Sequence, residues 1–82
     1  MTLYIGMEFE WRAKIIYTRY RIIWLTKKKN GWTAVHVSRQ GYYGGSTAIH
    51  LPDVILWKHD ICRQLREGPY KIISFTCQGF SL

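Results

Sequence analysis

Acidic residues, cysteine and long apolar runs are all scarce in this chain of 82 residues. Its two cysteines, Cys62 and Cys77, are too few to build a disulfide scaffold. The opening segment reaches the charged residue Glu8 too soon to be a secretory signal peptide. No apolar run approaches the roughly 20 residues that span a bilayer. We therefore expect a cytoplasmic protein with reduced thiols and no membrane association.

Only five Asp and Glu stand against twelve Lys and Arg, which gives a formal net charge of +7. Such a balance attracts polyanions, acidic protein surfaces or anionic lipid over long distances. The composition is otherwise that of a folded domain, with 48% hydrophobic and 16% aromatic residues. We expect residues 1–82 to form a single small basic domain, without a linker or an internal repeat.

Alternation of apolar residues with period two opens the chain and predicts a strand with one buried face. Apolar side chains occupy the odd positions from Leu3 to Tyr17, and then the even positions Tyr20, Ile22 and Trp24. A shift of one residue exchanges the two faces of a strand, so the strand must be interrupted. We predict two strands with a break or sharp bend near Tyr17–Arg19.

The dipeptide Asn30-Gly31 is the strongest turn signal in the chain. It suits a two-residue type I′ turn, because both central residues of that turn need positive φ. The pairs that such a turn places on an apolar face are Ile22–Arg39, Trp24–Val37 and Thr26–Val35. Register and hydrophobic pattern agree, which favours a β-hairpin over this segment.

Glycine and proline divide the stretch after the hairpin. The segment Gly41–Ser46 contains three glycines, so an ordered element there would be costly in entropy, and we predict a loop. The next residues, Thr47–Leu51, favour a short edge strand that Pro52 ends.

Residues 53–67 are predicted to form a helix, and Gly68-Pro69 is its stop signal. Asp53 suits the positive N-terminal end of that helix. Its early residues Ile55 and Leu56 fall off the apolar stripe. Either the first turn of the helix is buried on several sides, or that part of the chain is extended.

Alternation resumes over residues 70–77 and predicts a final strand. The predicted order is therefore β-β-β-(β)-α-β. This order defines an α+β fold, in which an antiparallel sheet of four to five strands has one helix packed on one face. An unpaired edge such as Leu3–Tyr17 could pair with a second copy of the chain and give a homodimer.

The densest positive charge coincides with the predicted hairpin. Nucleic-acid phosphates suit such a cluster, a β-hairpin fits the major groove of DNA, and nearby aromatic rings could stack on unpaired bases. The residues predicted to bind nucleic acid or an acidic partner are Arg19, Arg21, Lys27, Lys28, Lys29, Trp32, Arg39, Tyr42 and Tyr43. A secondary contact face on the helix comprises His59, Arg63 and Arg66. The lysines would equally keep an exposed turn soluble and discourage edge-to-edge association.

Signals for a metal or for catalysis are weak. His59, Cys62 and Cys77 make three N or S ligands, but no CxxC or HxxxH pair supports a zinc site. The predicted register places His36 beside Leu25, where it is the best candidate general base for a ribonuclease. A surface histidine on a strand is the more ordinary interpretation. We expect no metal, no cofactor and no enzymatic activity.

The stretch from Arg19 to Arg66 has the order strand–strand–strand–helix with a basic first hairpin. In this it resembles the three-stranded-sheet DNA-binding domains of phage-type integrases and plant AP2 factors. The Trp- and Tyr-rich strands and the segment Lys71–Cys77 are similar in style to small accessory proteins of phages and prophages. Neither resemblance assigns a role to a particular residue.

The sequence thus favours a non-enzymatic nucleic-acid-binding protein. The alternative is a protein-binding inhibitor or regulator, encoded by a phage or mobile element, that docks on a host complex. A small toxin-like ribonuclease is the weaker third hypothesis.

Overall fold

The computed structural model describes residues 2–43 and 47–74. They form a five-stranded antiparallel sheet with one helix packed against it, which confirms the predicted α+β fold. The elements are β1 (Glu8–Arg12), β2 (Ile16–Lys27), β3 (Thr33–Tyr43), β4 (Thr47–Trp57), α1 (Lys58–Glu67) and β5 (Tyr70–Ser74). The spatial order is β4-β3-β2-β1-β5, so β1 to β4 form a meander and α1 leads the chain back to place β5 beside β1.

The hydrophobic core lies between the sheet and α1. Its fully buried side chains include Met7, Phe9, Ile22, Val35, Val37 and Ile61. Each such side chain contributes about 1.5–3 kcal/mol on burial. The helix N-cap residue, Trp57, makes no side-chain capping hydrogen bond. The helix is therefore held by the packing of its apolar stripe, and at ten residues it is too short and too polar to cross a membrane.

The first hairpin turns earlier than the sequence predicted. The Ala13 N–H donates to the Ile16 carbonyl at 2.8 Å, so Lys14 and Ile15 form a two-residue turn. The predicted break near Tyr17–Arg19 is wrong. Pairing across such a turn matches odd positions of β1 with even positions of β2, which explains the change of phase. Neither turn residue has positive φ or a turn-forming side chain, so the sequence gives no local signal.

The second hairpin forms around Asn30-Gly31, but its loop is one residue longer than predicted. The Lys28 N–H donates to the Trp32 carbonyl at 2.7 Å, and the Gly31 N–H donates to the Lys28 carbonyl at 3.0 Å. The loop is therefore Lys29-Asn30-Gly31, in which only Gly31 has positive φ, at 88°. Asn30 acts instead through its side chain, whose oxygen accepts the Trp32 N–H at 2.9 Å. The two-residue type I′ turn is wrong.

A bulge at Ile23 shifts the register of β2 against β3 a second time. Ile22 lies opposite Val37, whereas Trp24 lies opposite His36. The predicted pairs Trp24–Val37 and Thr26–Val35 are wrong because the loop is one residue longer, and Ile22–Arg39 is wrong because the loop and the bulge each shift the register by one residue. An extra residue in one strand re-aims the side chains that follow it. Ile22 is fully buried, but Trp24 is 58% exposed on the other face.

Strand β4 is longer than predicted, since it continues through Pro52 to Trp57. The helix consequently begins at Lys58 and not at Asp53. Pro52 is tolerated because β4 is an edge strand and its pairing with β3 is irregular at that point. Ile55 and Leu56, which fall off the apolar stripe of the predicted helix, therefore belong to an extended strand. This was the second of the two predicted possibilities.

The predicted loop Gly41–Ser46 begins within β3, which extends to Tyr43, and residues 44–46 lie outside the described residues. Gly41 is buried, and a Cβ atom there would lie 3.3 Å from Leu51 Cδ1 on the neighbouring strand. Gly41 therefore does not mark a loop. Its lack of a side chain lets β3 and β4 pack closely. The last predicted strand is present as β5, with residues 75–77 also outside the described residues.

The predicted free edge Leu3–Tyr17 is wrong. Strand β1 lies between β2 and β5 and pairs with both, so the two edges of the sheet are β4 and β5. Dimerisation by pairing along β1 would require one of these neighbours to leave.

Candidate functional site

One face of the sheet carries α1. The other, which we call the open face, carries no helix within the described part of the chain. Residues directly opposite one another in an antiparallel pair share a face, so the register defines cross-strand rows. The rows on the open face are Arg12–Tyr17–Tyr42–Ala48, Glu10–Arg19–Gln40–His50, Glu8–Arg21–Ser38 and Trp24–His36–Ile55.

A depression of about 400 Å³ lies at the two central rows, and we call it the arginine depression. The residues that line it are Glu8, Arg19, Arg21, Ser38, Arg39, Gln40 and His50. It brings together Arg19 and Arg21 of the predicted site, both from β2. Arg39 also lines it, but the register places Arg39 between Tyr20 and Leu51, in a row of the helix-bearing face. A guanidinium group is always ionised and presents paired donors that match phosphate or carboxylate oxygens. The arrangement therefore favours binding of an anion.

Arg19 has the least satisfied of these guanidinium groups. Its Nε is buried and has no hydrogen-bond partner among the described residues. The Arg19 guanidinium lies over the ring of Tyr42, whose centroid is 5.8 Å from Arg19 Cζ. A buried donor without an acceptor costs about 1–3 kcal/mol. A ligand oxygen in the depression would supply an acceptor to this guanidinium.

The other two arginines are held in place by the protein. Arg21 Nε donates to Glu8 Oε2 at 3.0 Å, and Arg39 Nε donates to the Pro52 carbonyl at 2.9 Å. Each of these contacts uses one of the five donors of a guanidinium group. Arg21 is thus oriented in the depression while it retains donors for a ligand, whereas the Arg39 guanidinium is bound to the edge strand β4.

Acid–base groups in the depression are far apart. Glu8 and His50 belong to β1 and β4, which three inter-strand spacings separate. Their backbones therefore lie about 14 Å apart. Proton transfer in RNA cleavage needs both groups within hydrogen-bond reach of one ribose phosphate. Glu8 and His50 are therefore not positioned as an acid–base pair within this depression.

A tyrosine pair flanks one end of the arginine depression. Tyr17 and Tyr42 stack on each other with ring centroids 4.6 Å apart and planes inclined by 11°. The Tyr42 hydroxyl donates to Gln40 Oε1 at 3.2 Å, and Arg12 Cζ lies 4.4 Å from the centroid of Tyr17. Tyr42, predicted to stack on bases, thus already has a stacking partner. Tyr43 is exposed and lies opposite Ile16, in a row of the helix-bearing face.

The three predicted lysines lie apart from these arginines, at the tip of the second hairpin. All three are exposed, and no carboxylate of the described residues lies within 4.0 Å of them. Lys27 lines a separate depression of about 580 Å³ together with Trp32, Lys58 and His59. Trp32 packs edge-on against His59, with centroids 4.7 Å apart. The predicted site therefore divides into the arginine depression and a lysine-rich tip.

The three residues of the predicted secondary contact face on α1, His59, Arg63 and Arg66, are exposed. On this face, Arg63 donates to Asp60 at 3.2 Å, and His59 Nε2 lies 3.9 Å from the same carboxylate. Within residues 2–43 and 47–74, no three side chains of His, Cys, Asp or Glu come together as metal ligands. Cys77, the third candidate ligand, lies outside the described residues.

Sequence reasoning missed five residues of the open face. Glu8, Ser38, Gln40 and His50 join the arginine depression through strand pairing, and no local pattern marks them. Trp24 was expected on the buried face. His36 lies between Trp24 and Ile55, so its predicted position beside Leu25 is wrong.

Comparison of the chain with protein-family models, with curated proteins and with solved structures gave no match. The geometry of the open face is therefore the basis for any functional argument.

Proposed function

We propose that the protein binds nucleic acid through the open face, with a backbone phosphate in the arginine depression. The observation that supports this is that Arg19 and Arg21 meet in one depression of the open face, where Arg19 has a buried donor without an acceptor. The paired N–H donors of a guanidinium group match the oxygens of phosphate, which is the anionic group of a nucleic acid. The net charge of +7 adds long-range attraction to a polyanion.

The lysine-rich tip supports the same function at longer range. Lys27, Lys28 and Lys29 are exposed, and they extend the positive potential beyond the arginine depression along the same hairpin. Flexible ammonium groups act as point charges that accelerate encounter and release counterions. The oriented arginines would fix where the phosphate chain lies.

A titration of a fluorescently labelled oligonucleotide, followed by anisotropy at about 50 and 200 mM salt, tests the proposal. Binding should weaken steeply with salt. Arg19→Gln and Arg21→Gln should each weaken binding and reduce the slope of log K against log[salt] by about one. Arg66→Gln removes the same charge from exposed α1 and is the matched control, which should change the slope little. Urea unfolding of each variant verifies that the fold is retained.

Two results would contradict the proposal. Absence of binding at low salt would remove it altogether. Equal effects of all three substitutions would show that only total charge matters and that the arginine depression has no role.

A protein partner with an acidic surface is the second candidate, and exposed apolar side chains next to the arginines favour it. Ile23, Trp24 and Ile55 are 40%, 58% and 59% exposed. Tryptophan and arginine together are typical of binding hot spots between proteins. A regulator that docks on a host complex would use this surface. Binding of an acidic peptide to the protein, together with the absence of salt-dependent oligonucleotide binding, would favour this candidate.

A further inference from the structure

We propose that Trp24 is a stacking platform for an unpaired base, so that the protein prefers single-stranded over double-stranded nucleic acid. This inference rests on the proposed function and adds to it the class of ligand and a contact residue. It concerns the row Trp24–His36–Ile55, which lies outside the site predicted from the sequence.

The indole of Trp24 is the aromatic group of the open face that is presented to solvent. It is 58% exposed, and it takes part in none of the ring–ring contacts among the described residues. The rings of Tyr42 and Trp32, by contrast, pack on Tyr17 and Trp57. On the open face, Trp24 is therefore the described aromatic ring that has a surface left for a ligand.

The bulge at Ile23 gives Trp24 this orientation. Without the extra residue, strict alternation would place Trp24 on the face of Ile22, against the core. A large apolar ring is thereby moved from the core side to the solvent side of the sheet. Bulges are over-represented next to functional sites, where they re-aim a side chain.

The position of Trp24 suits a base whose phosphate occupies the arginine depression. The row of Trp24 and the row of Arg21 are neighbours, since His36 and Ser38 are two residues apart on β3. That spacing is about 6.6 Å along the strand. A nucleotide whose phosphate contacts Arg21 could therefore place its base on the indole.

The ligand class follows from which base faces are accessible. In a duplex both faces of each base are covered by its neighbours in the stack, whereas single-stranded bases can be splayed onto an aromatic side chain. A second copy of the chain fits the same surface poorly, because a two-fold contact would bring Arg19 and Arg21 against their own copies. The adjoining arginines instead complement a phosphate chain.

The test compares a labelled single strand of about 12 nucleotides with the corresponding duplex on the full chain, by anisotropy. The single strand should bind at least tenfold more tightly. Trp24→Ala should weaken single-strand binding by about 5- to 150-fold, with duplex binding and the salt slope unchanged. Trp24→Phe should restore most of the loss. Trp11→Ala removes an exposed indole from the helix-bearing face and is the matched control, which should have little effect.

A second measurement needs no variant and is unaffected by folding. Abasic linkers replace successive bases of the single strand, and at least one replacement should weaken binding to the wild-type protein. Salt-dependent binding with equal affinity for single strand and duplex would overturn the inference and leave the proposed function standing. If the wild-type protein binds neither the single strand nor the duplex, both this inference and the proposed function are overturned. Dimerisation that Trp24→Ala abolishes would assign the indole to a second copy and overturn the inference.

Discussion

Ile22 and Trp24 are two residues apart on β2, yet the bulge between them places one in the core and the other in solvent. Ile22→Ala deletes a side chain of zero exposure, which costs about 2–5 kcal/mol from lost burial and the cavity that remains. Trp24→Ala removes a ring that is mostly solvated, and we expect a change of about 0.5 kcal/mol or less in the free energy of unfolding. If the side chains alternated without the bulge, Trp24→Ala would cost about 3–5 kcal/mol instead.

Urea unfolding followed by circular dichroism measures both values. With a denaturant slope of about 1–3 kcal/mol/M, Ile22→Ala should lower the midpoint by on the order of 1–2 M, and Trp24→Ala should leave it nearly unchanged. If Ile22→Ala does not fold, Ile22→Val is measured in its place. That variant should lower the free energy of unfolding by about 0.5–1.5 kcal/mol. A cost for Trp24→Ala as large as that for Ile22→Ala would refute the bulge and the open-face position of the indole.

Three further predictions follow from local geometry. Gly31→Ala should destabilise the protein by about 1–2 kcal/mol, because φ of 88° is left-handed, while the neighbouring Lys29→Ala should be near neutral in the same urea assay. Glu8→Gln should strengthen oligonucleotide binding about twofold to fivefold, since it removes the carboxylate that competes for Arg21; unchanged or weaker affinity in anisotropy would count against the arginine depression. Burial raises the pKa of Tyr70 to about 12, so its hydroxyl is protonated in the folded state over a range where the unfolded chain ionises. The stability that this provides below pH 10 should be lost as the pH rises from 10 to 12, and Tyr70→Phe should remove that part of the decline; an identical decline in wild type and variant would contradict the assignment.

Turn chemistry explains which parts of the fold were predictable. The dipeptide Asn30-Gly31 indicated the second hairpin because its loop needs a residue with positive φ, and the sequence shows such a glycine directly. The turn at Lys14-Ile15 has no such signal, since pairing of β1 with β2 forms it. In β4, extended backbone beside β3 overrode the helix signals of Pro52 and Asp53.

The part of the candidate site that lies within one strand was predictable, whereas the part that depends on pairing between strands was not. Arg19 and Arg21 alternate on one strand, so their shared face could be predicted from β2 alone. His50 reaches the same depression through the pairing of β4 with β3, which is a non-local property. The exposure of Trp24 depends on a one-residue bulge, and the sequence around Ile23 contains no glycine to indicate it.

We propose that the open face, and not the hairpin tip or the helix, binds the nucleic acid. Backbone amide chemical shifts of the labelled protein, recorded as a single-stranded oligonucleotide is added, test it most directly. The largest changes should fall in residues 19–24 and 36–40, on the central strands. Changes confined to residues 27–32 or to α1 would contradict it.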